Sequence, residues 1–272
     1  MDQTAKAERF RKLHEGPDVL VLPNAWDAAS AAVMADAGAK AVATSSAAVA
    51  WAHGYPDGDV LPMDLVVATI AAAAKAAGEV PLTADIEGGF TDDLDALSAN
   101  IARVIEAGAV GINIEDGGRD PALHARKIAA VRAQAERQGA SLFINARTDV
   151  YLRGLAEGEA AYEESVKRAA LYAEAGADGI FVPGPADPTL IGRLAAAIPR
   201  PLNVMGRTGV PAAAELKALG VRRLSSAISP FRVAYAAMGR AVETFLRDGD
   251  ADALSRAGDG APNLQGRFSQ GG

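Results

Sequence analysis

Three acidic residues, Asp85, Glu87 and Glu115, stand where two short apolar runs end, and their spacing suits a seat for a hard cation. In Pro81-Leu82-Thr83-Ala84-Asp85-Ile86-Glu87-Gly88-Gly89-Phe90, strand alternation predicts Asp85 and Glu87 on one face and Ile86 on the other. Two carboxylates on one side of a buried strand repel each other and need a proton, a cation or a basic partner at neutral pH. Gly111-Ile112-Asn113-Ile114-Glu115-Asp116 ends the same way. As a neighbouring strand, roughly 4.8 Å away, it would bring Glu115 into the same acidic cluster. Such oxygen donors suit Mg2+ held by few direct ligands and several waters. Helix capping is the plain alternative, but Gly88-Gly89-Phe90 separates the pair from a helix for which Thr91 is the expected cap.

Other polar residues fall at the ends of similar runs. Arg147, in Ala146-Arg147-Thr148-Asp149, can fork onto a substrate carboxylate or neutralise the neighbouring acids, and both readings stand. Thr44-Ser45-Ser46 offers hydroxyls and backbone N–H groups to an anion, and Asn203 ends a further run. Asp57, in Gly54-Tyr55-Pro56-Asp57-Gly58, reads by itself as a turn residue. His14, His53 and His124 are scattered without zinc-like spacing. His53 lies near the proposed mouth, where loop packing is the plainer role. Gly206-Arg207-Thr208-Gly209 matches a barrel phosphate loop only weakly.

These residues need a scaffold that gathers strand ends. After a leading helix, β-branched runs alternate with Ala/Leu-rich helical stretches that mostly stop at Gly or Pro. Strands are expected at residues 19–23, 41–45, the Pro81 run, the Gly111 run, 142–147, 179–183, 201–205 and 222–225. Helices are expected at 27–37, 62–77, 121–138, 157–175, 188–197, 212–219 and 231–246, with another from Thr91 to Ala107. Residues 46–59 read as a longer polar segment, and those after Asp248 as a tail (249–272), loose or partly ordered, behind a single domain of residues 1–248. Eight strand–helix units point to a (β/α)8 TIM-type barrel, whose function sits at the C-terminal strand ends. An open doubly wound sheet is less well supported, because no Gly-x-Gly-x-x-Gly follows the first strand.

Bulk properties narrow the function classes. The 272 residues carry a formal net charge of −7, which argues against a nucleic-acid binder. Without cysteine there is no disulfide, thiolate site or cysteine nucleophile. The Ala-rich runs are too short to span a bilayer, and the leading segment lacks a signal-peptide core, so no membrane partner and a cytoplasmic location are expected.

Taken in order, Pro23-Asn24-Ala25-Trp26-Asp27, Thr44-Ser45-Ser46, Gly54-Tyr55-Pro56-Asp57, Asp85-Ile86-Glu87-Gly88-Gly89, Gly111-Ile112-Asn113-Ile114-Glu115-Asp116 and Asn145-Ala146-Arg147-Thr148-Asp149 resemble the isocitrate lyase/phosphoenolpyruvate mutase superfamily. The resemblance runs from about Val19 to the last long helix. It implies a barrel that binds Mg2+, with Mn2+ as a substitute, together with a 2-oxo-carboxylate or its enolate. Asp85 would coordinate the metal directly, and Glu87 and Glu115 would hold its waters. Thr44, Ser45, Ser46, Arg147 and Asn203 would bind the carboxylate substrate, and Asp57 rises from turn residue to catalytic candidate beside Arg147. It also implies a homodimer or homotetramer that exchanges the helix from Phe231 to Leu246. The departure is after strand four, where Gly117-Gly118-Arg119-Asp120 replaces the longer, Cys-bearing loop of the lyases. Isocitrate or methylisocitrate cleavage by the family route is therefore not expected. Decarboxylation or C–C cleavage of a small 2-oxo-acid or hydroxy-dicarboxylate is the leading expectation. The alternatives are a phosphonate mutase or hydrolase and a non-catalytic carboxylate-binding barrel.

Overall fold

The computed structural model describes residues 2–269. Its strands are β1 (Leu20–Leu22), β2 (Asn24–Ala25), β3 (Val42–Thr44), β4 (Leu82–Asp85), β5 (Gly111–Glu115), β6 (Phe143–Arg147), β7 (Gly179–Phe181), β8 (Leu202–Met205) and β9 (Arg223–Ser225). All pairings are parallel, in the order β1-β9-β8-β7-β6-β5-β4-β3-β2. The two outer strands, β1 and β2, are consecutive in the chain and separated only by Pro23. They form one kinked stave that pairs with β9 below the proline and β3 above it, so the nine segments make the eight staves of a TIM-type barrel. Proline has no N–H for a ladder, which is why the first expected strand divides there.

Helices α1 (Gln3–Glu15), α2 (Ala28–Asp36), α3 (Ser46–Ala52), α4 (Met63–Ala77), α5 (Leu94–Glu106), α6 (Pro121–Arg137), α7 (Gly158–Glu174), α8 (Pro188–Ala197), α9 (Ala213–Ala218), α10 (Ser229–Asp248), α11 (Ala251–Ala257) and α12 (Leu264–Ser269) complete the chain. The outer core lies between the staves and helices, where Ile70, Leu97, Ile101, Ile112, Ile128, Ile144 and Ile180 are all buried. A smaller inner cluster closes the lower lumen. There Phe10 of α1 meets Phe143 edge-on at 5.5 Å between ring centres, beside Leu20, Leu22 and Ala43. Gly111 leaves room for this plug, since a Cβ there would lie 2.8 Å from the Phe10 ring.

Two local expectations change. The start of the 46–59 segment is helical, because Ser46-Ala47-Ala48-Val49-Ala50-Trp51-Ala52 buries Ala48, Val49 and Ala50. Helix α5 is capped by Asp93, which accepts the Ala96 N–H at 2.8 Å, while the Thr91 hydroxyl accepts the Asp93 N–H. Residues beyond Asp248 include α11 and α12, and Arg267 ties α12 back to Asp36 and the Ala76 carbonyl.

Candidate active site at the barrel mouth

Asp85 closes β4 with its two carboxylate oxygens in different surroundings. Ser46, the first residue of α3, donates its backbone N–H (3.2 Å) and hydroxyl (3.0 Å) to Oδ2. The Thr44 hydroxyl accepts the Asp85 backbone N–H at 2.8 Å. Among the described residues, Asp85 Oδ1 accepts no hydrogen bond. Ser45 follows Ala43 by two residues in extended backbone, which places it on the lumen side of the same stave.

The alternation expected to align Glu87 with Asp85 ends at Asp85. Glu87 takes a φ of +51°, the left-handed region that non-glycine residues rarely occupy, and its buried side chain turns toward the 58–59 segment. There Oε2 accepts the backbone N–H of Gly58 at 2.8 Å and also that of Asp59. Asp59 returns the arrangement: its Oδ1 accepts the backbone N–H groups of Gly88 and Phe90, each at 3.0 Å. Asp59 and Phe90 also have positive φ. Such residues cost about 1–3 kcal/mol each and persist only where surrounding contacts fix them. Arg119, from the short loop after β5, adds a 2.7 Å ion pair to Asp59 and another to Asp92, which the buried Lys127 also holds. Three loops are thereby tied together over one side of the mouth.

Glu115 and Arg147 end neighbouring strands in direct register and form an ion pair at 2.6 Å. Arg147 also holds both oxygens of buried Asp149 through Nε (2.6 Å) and Nη2 (3.1 Å). Two of its five N–H bonds go to Asp149, and Nη1 lies against Glu115, so N–H groups on both terminal nitrogens remain for a further acceptor. Burial opposes the Arg147 charge, but Glu115 and Asp149 keep the guanidinium firmly protonated. Asp116 turns away from the mouth: its fully buried carboxylate accepts the Asp149 N–H, the Tyr172 hydroxyl and Arg168. Burial would raise its pKa, and those donors hold it below the usual carboxylate range.

The mouth carries more carboxylate than its cations neutralise. Burial pushes Glu115 up to about 8 against the pull of Arg147, with Asp149, Asp85 and Asp57 adding to the rise. Burial likewise raises Glu87 to about 7, opposed by the Asp59 N–H and assisted by the charges of Asp57, Asp59 and Asp85. Asp57, on the exposed segment after α3, is raised by desolvation of its carboxyl and by Asp85, while Arg147 and a Ser46 hydrogen bond oppose the shift. Asp57, Asp85, Glu87 and Glu115 thus share one electrostatic field. They do not form a ready-made cage, and among the described residues no three His, Asp or Glu side chains are grouped closely enough to hold an ion alone.

Asn203 lies below the rim on the lumen floor, in register with Phe181 and Arg223. Both its side-chain amide atoms are buried without a partner. Arg223 crosses the lumen from β9 to β5, donating Nη2 to Asn113 Oδ1 at 3.1 Å, and burial pulls its pKa down to about 9. Asn145 donates to the same Asn113 oxygen at 2.9 Å. The histidines stand apart from this chemistry. His53 pairs with the Thr69 hydroxyl, His14 stacks on Phe143, and His124 packs edge-on against Tyr172.

The structure therefore gathers Thr44, Ser45, Ser46, Asp57, Asp85, Glu115 and Arg147 at the mouth, sets Glu87 into the loop clamp and places Asn203 deeper. Asp59, Arg119, Arg153 and Arg223 were not singled out from sequence. A signal existed for Asp59, two residues after Asp57, and for Arg153, four residues after Asp149. Arg223 lay inside an expected strand without any mark of its inward face.

A closed parallel barrel with polar groups collected at its strand C-termini defines a TIM-type enzyme scaffold. Residues 10–246 match the phosphoenolpyruvate phosphomutase family, and the chain belongs to it, within the isocitrate lyase/phosphoenolpyruvate mutase superfamily. It is 36% identical to an uncharacterized protein of Mycobacterium tuberculosis over 246 residues, 89% of this chain and 90% of the relative. It is 31% identical to the 2-methylisocitrate lyase of Bacillus subtilis, covering 88% of this chain and 81% of that enzyme. A crystal structure from Burkholderia cenocepacia, provisionally described as a phosphonomutase, shares 42% identity and a TM-score of 0.84, covering 88% of this chain and 99% of that one.

Proposed function

We propose that the protein is a lyase that uses a divalent cation, Mg2+ or Mn2+, to break a C–C bond in a small 2-oxo-acid or hydroxy-dicarboxylate, by cleavage or decarboxylation. The observation that carries this reading is Asp85. One of its oxygens is oriented by Ser46 and the other is bare, beside Asp57 and the Glu115–Arg147 pair. The donor set fits a hard cation, being all oxygen and offering one direct carboxylate with others near enough to hold its waters. Asp85 would hold the ion, with Glu87 and Glu115 on its water shell. When bound, such an ion polarises the substrate's oxo or hydroxy oxygen.

The chain's own groups supply the remainder. Ser45 and the terminal nitrogens of Arg147 receive the substrate carboxylate, and Ser46 keeps Asp85 in place. Desolvation together with the Asp85 charge raises the pKa of Asp57, which suits it to proton transfer at the mouth. The lyase relative supports C–C chemistry. The Burkholderia neighbour favours a phosphonate reading, which 31P NMR with phosphonopyruvate would detect. The test is calorimetry of oxalate with and without Mg2+, followed by turnover of an oxo- and hydroxy-acid panel. Cation-dependent oxalate binding with release of a C–C cleavage product is expected. Absence of oxalate binding at saturating Mg2+ would remove the basis of the reading.

We further propose that α10 is exchanged between copies in a dimer or tetramer. Tyr235, Met238, Val242 and Leu246 make an exposed apolar stripe along it. A groove of about 780 Å3 lined by Val19, Val21, Met34 and Leu224 lies beside its start. Together these offer both halves of such an interface.

A further inference from the structure

Arg153 sits one helical turn beyond Asp149. Its backbone N–H donates to the Asp149 carbonyl at 2.9 Å, and its Nε holds the Asp149 carboxylate at 3.1 Å. Asp149 is buried and already takes two bonds from Arg147, so one fixed acid serves both guanidinium groups. Arg147 has Glu115 in addition, and Arg119 has Asp59 and Asp92. Arg153 is therefore the member of this arginine group with no acid of its own. Among the described residues neither of its Nη nitrogens donates a hydrogen bond, which leaves four N–H bonds open.

The side chain passes over the short loop after β5. Its Cδ is 3.6 Å from where a Cβ would stand on Gly118, and its Nη2 is 3.8 Å from the corresponding point on Gly117. That point above Gly117 is also 3.7 Å from Glu115 Oε1. The Arg153 fork thus hangs at the mouth beside the Glu115–Arg147 pair, half exposed. A Cβ at position 117 would meet Arg119 Nη1 first, at 2.9 Å, so the Arg153 fork rests in ordinary contact range over this loop, next to the Arg119 guanidinium. An arginine serving only as a solvated surface residue would not need its Nε pinned by a buried acid. Pinning there pre-orients the open end of the fork toward planar anions.

We propose that Arg153 binds a second acidic group on the substrate, remote from the carboxylate received by Arg147, and so makes the enzyme selective for dicarboxylates over monoacids. The inference rests on the oxo- or hydroxy-acid reading above. Asp149 spaces the two forks, so a substrate with acids at both ends meets one at each. A monoacid leaves Arg153 in water, where it loses nothing. Preference for the diacid is then the worth of one or two charge-assisted hydrogen bonds, about tenfold to a hundredfold in affinity.

Calorimetry at saturating Mg2+ with oxalate, lactate and malate tests this in the full chain and in its Arg153→Met and Arg153→Lys variants. The wild type should bind malate at least about tenfold more tightly than lactate. Arg153→Met should bring malate down to the lactate level and leave oxalate unchanged, and Arg153→Lys should retain part of the preference. The inference is overturned if the wild type does not prefer malate, if Arg153→Met keeps the preference, or if that variant weakens oxalate equally. In each of those cases oxalate binding by the wild type would leave the parent reading intact. If the wild type binds no oxalate, the parent reading fails and this one with it.

Discussion

Asp85 has one oxygen filled by Ser46 and one bare, and that asymmetry separates binding from folding. Replacing Asp85 by Asn keeps a side-chain oxygen for Ser46 but removes the charge. The Asp85→Asn protein should melt within a few degrees of the wild type while losing Mg2+-dependent oxalate binding by about a hundredfold or more, as read by calorimetry. The raised acids give a pH signature of definite sign. Glu87 and Glu115 move from an ordinary 4.5 to about 7 and about 8, so each takes up a proton on folding in the cation-free protein. Their contribution to stability is complete below about pH 4.5 and is lost as pH rises through 7 and 8. A cation needs these groups ionised, so the rise in melting temperature caused by Mg2+ should be small near pH 5.5 and grow toward about pH 8.5. A cation effect that shrinks over that interval would contradict the shared-field account. Asp85, Glu115 and Arg147 were legible in the sequence because each is a charged residue closing an apolar run. The direction of Glu87 was not, since nothing in its residue type announces a φ of +51°. Arg223 was equally hidden, as its burial depends on Asn113 facing it across the lumen.

At the scale of elements, the three loops after β3, β4 and β5 are held by reciprocal carboxylate-to-backbone bonds between Asp59 and Glu87 and by Arg119. Replacing Asp59 by Ala strands the N–H groups of Gly88 and Phe90 and leaves Arg119 with Asp92 as its remaining acid. We expect a loss of about 2 kcal/mol in urea unfolding. Faster hydrogen exchange confined to residues 54–60 and 86–92 should accompany it, and unchanged exchange there would show that the clamp does not order the mouth. Strands and long helices could be read from the sequence, because β-branched runs bounded by Gly and Pro carry a strong periodic signal. Helix α3 could not, being seven residues of mostly Ala with no polar face to set a period. The α5 cap was misplaced by two positions because Thr91 and Asp93 are both good capping types. The choice between them depends on which N–H groups the preceding loop leaves open.

For the whole molecule, the eight-staved barrel follows from the alternation of elements, and the kink at Pro23 is the detail that lets nine strand segments close it. Among the described residues no helix is long and apolar enough to cross a membrane. The exposed stripe on α10 instead suits another copy of the chain. Light scattering should give a dimer or tetramer mass for the wild type and a single-chain mass for Met238→Glu with Val242→Glu. A wild type that stays monomeric at high concentration would contradict helix exchange.

The central claim is that the mouth seats one divalent cation on Asp85 together with an oxygen-rich acid. Anomalous diffraction from a crystal grown with Mn2+ and oxalate tests it most directly. The account predicts one strong peak in direct contact with Asp85 Oδ1, shared with an oxalate that reaches toward Arg147. A mouth without such a peak, or a peak bound elsewhere with Asp85 still bare, would contradict it.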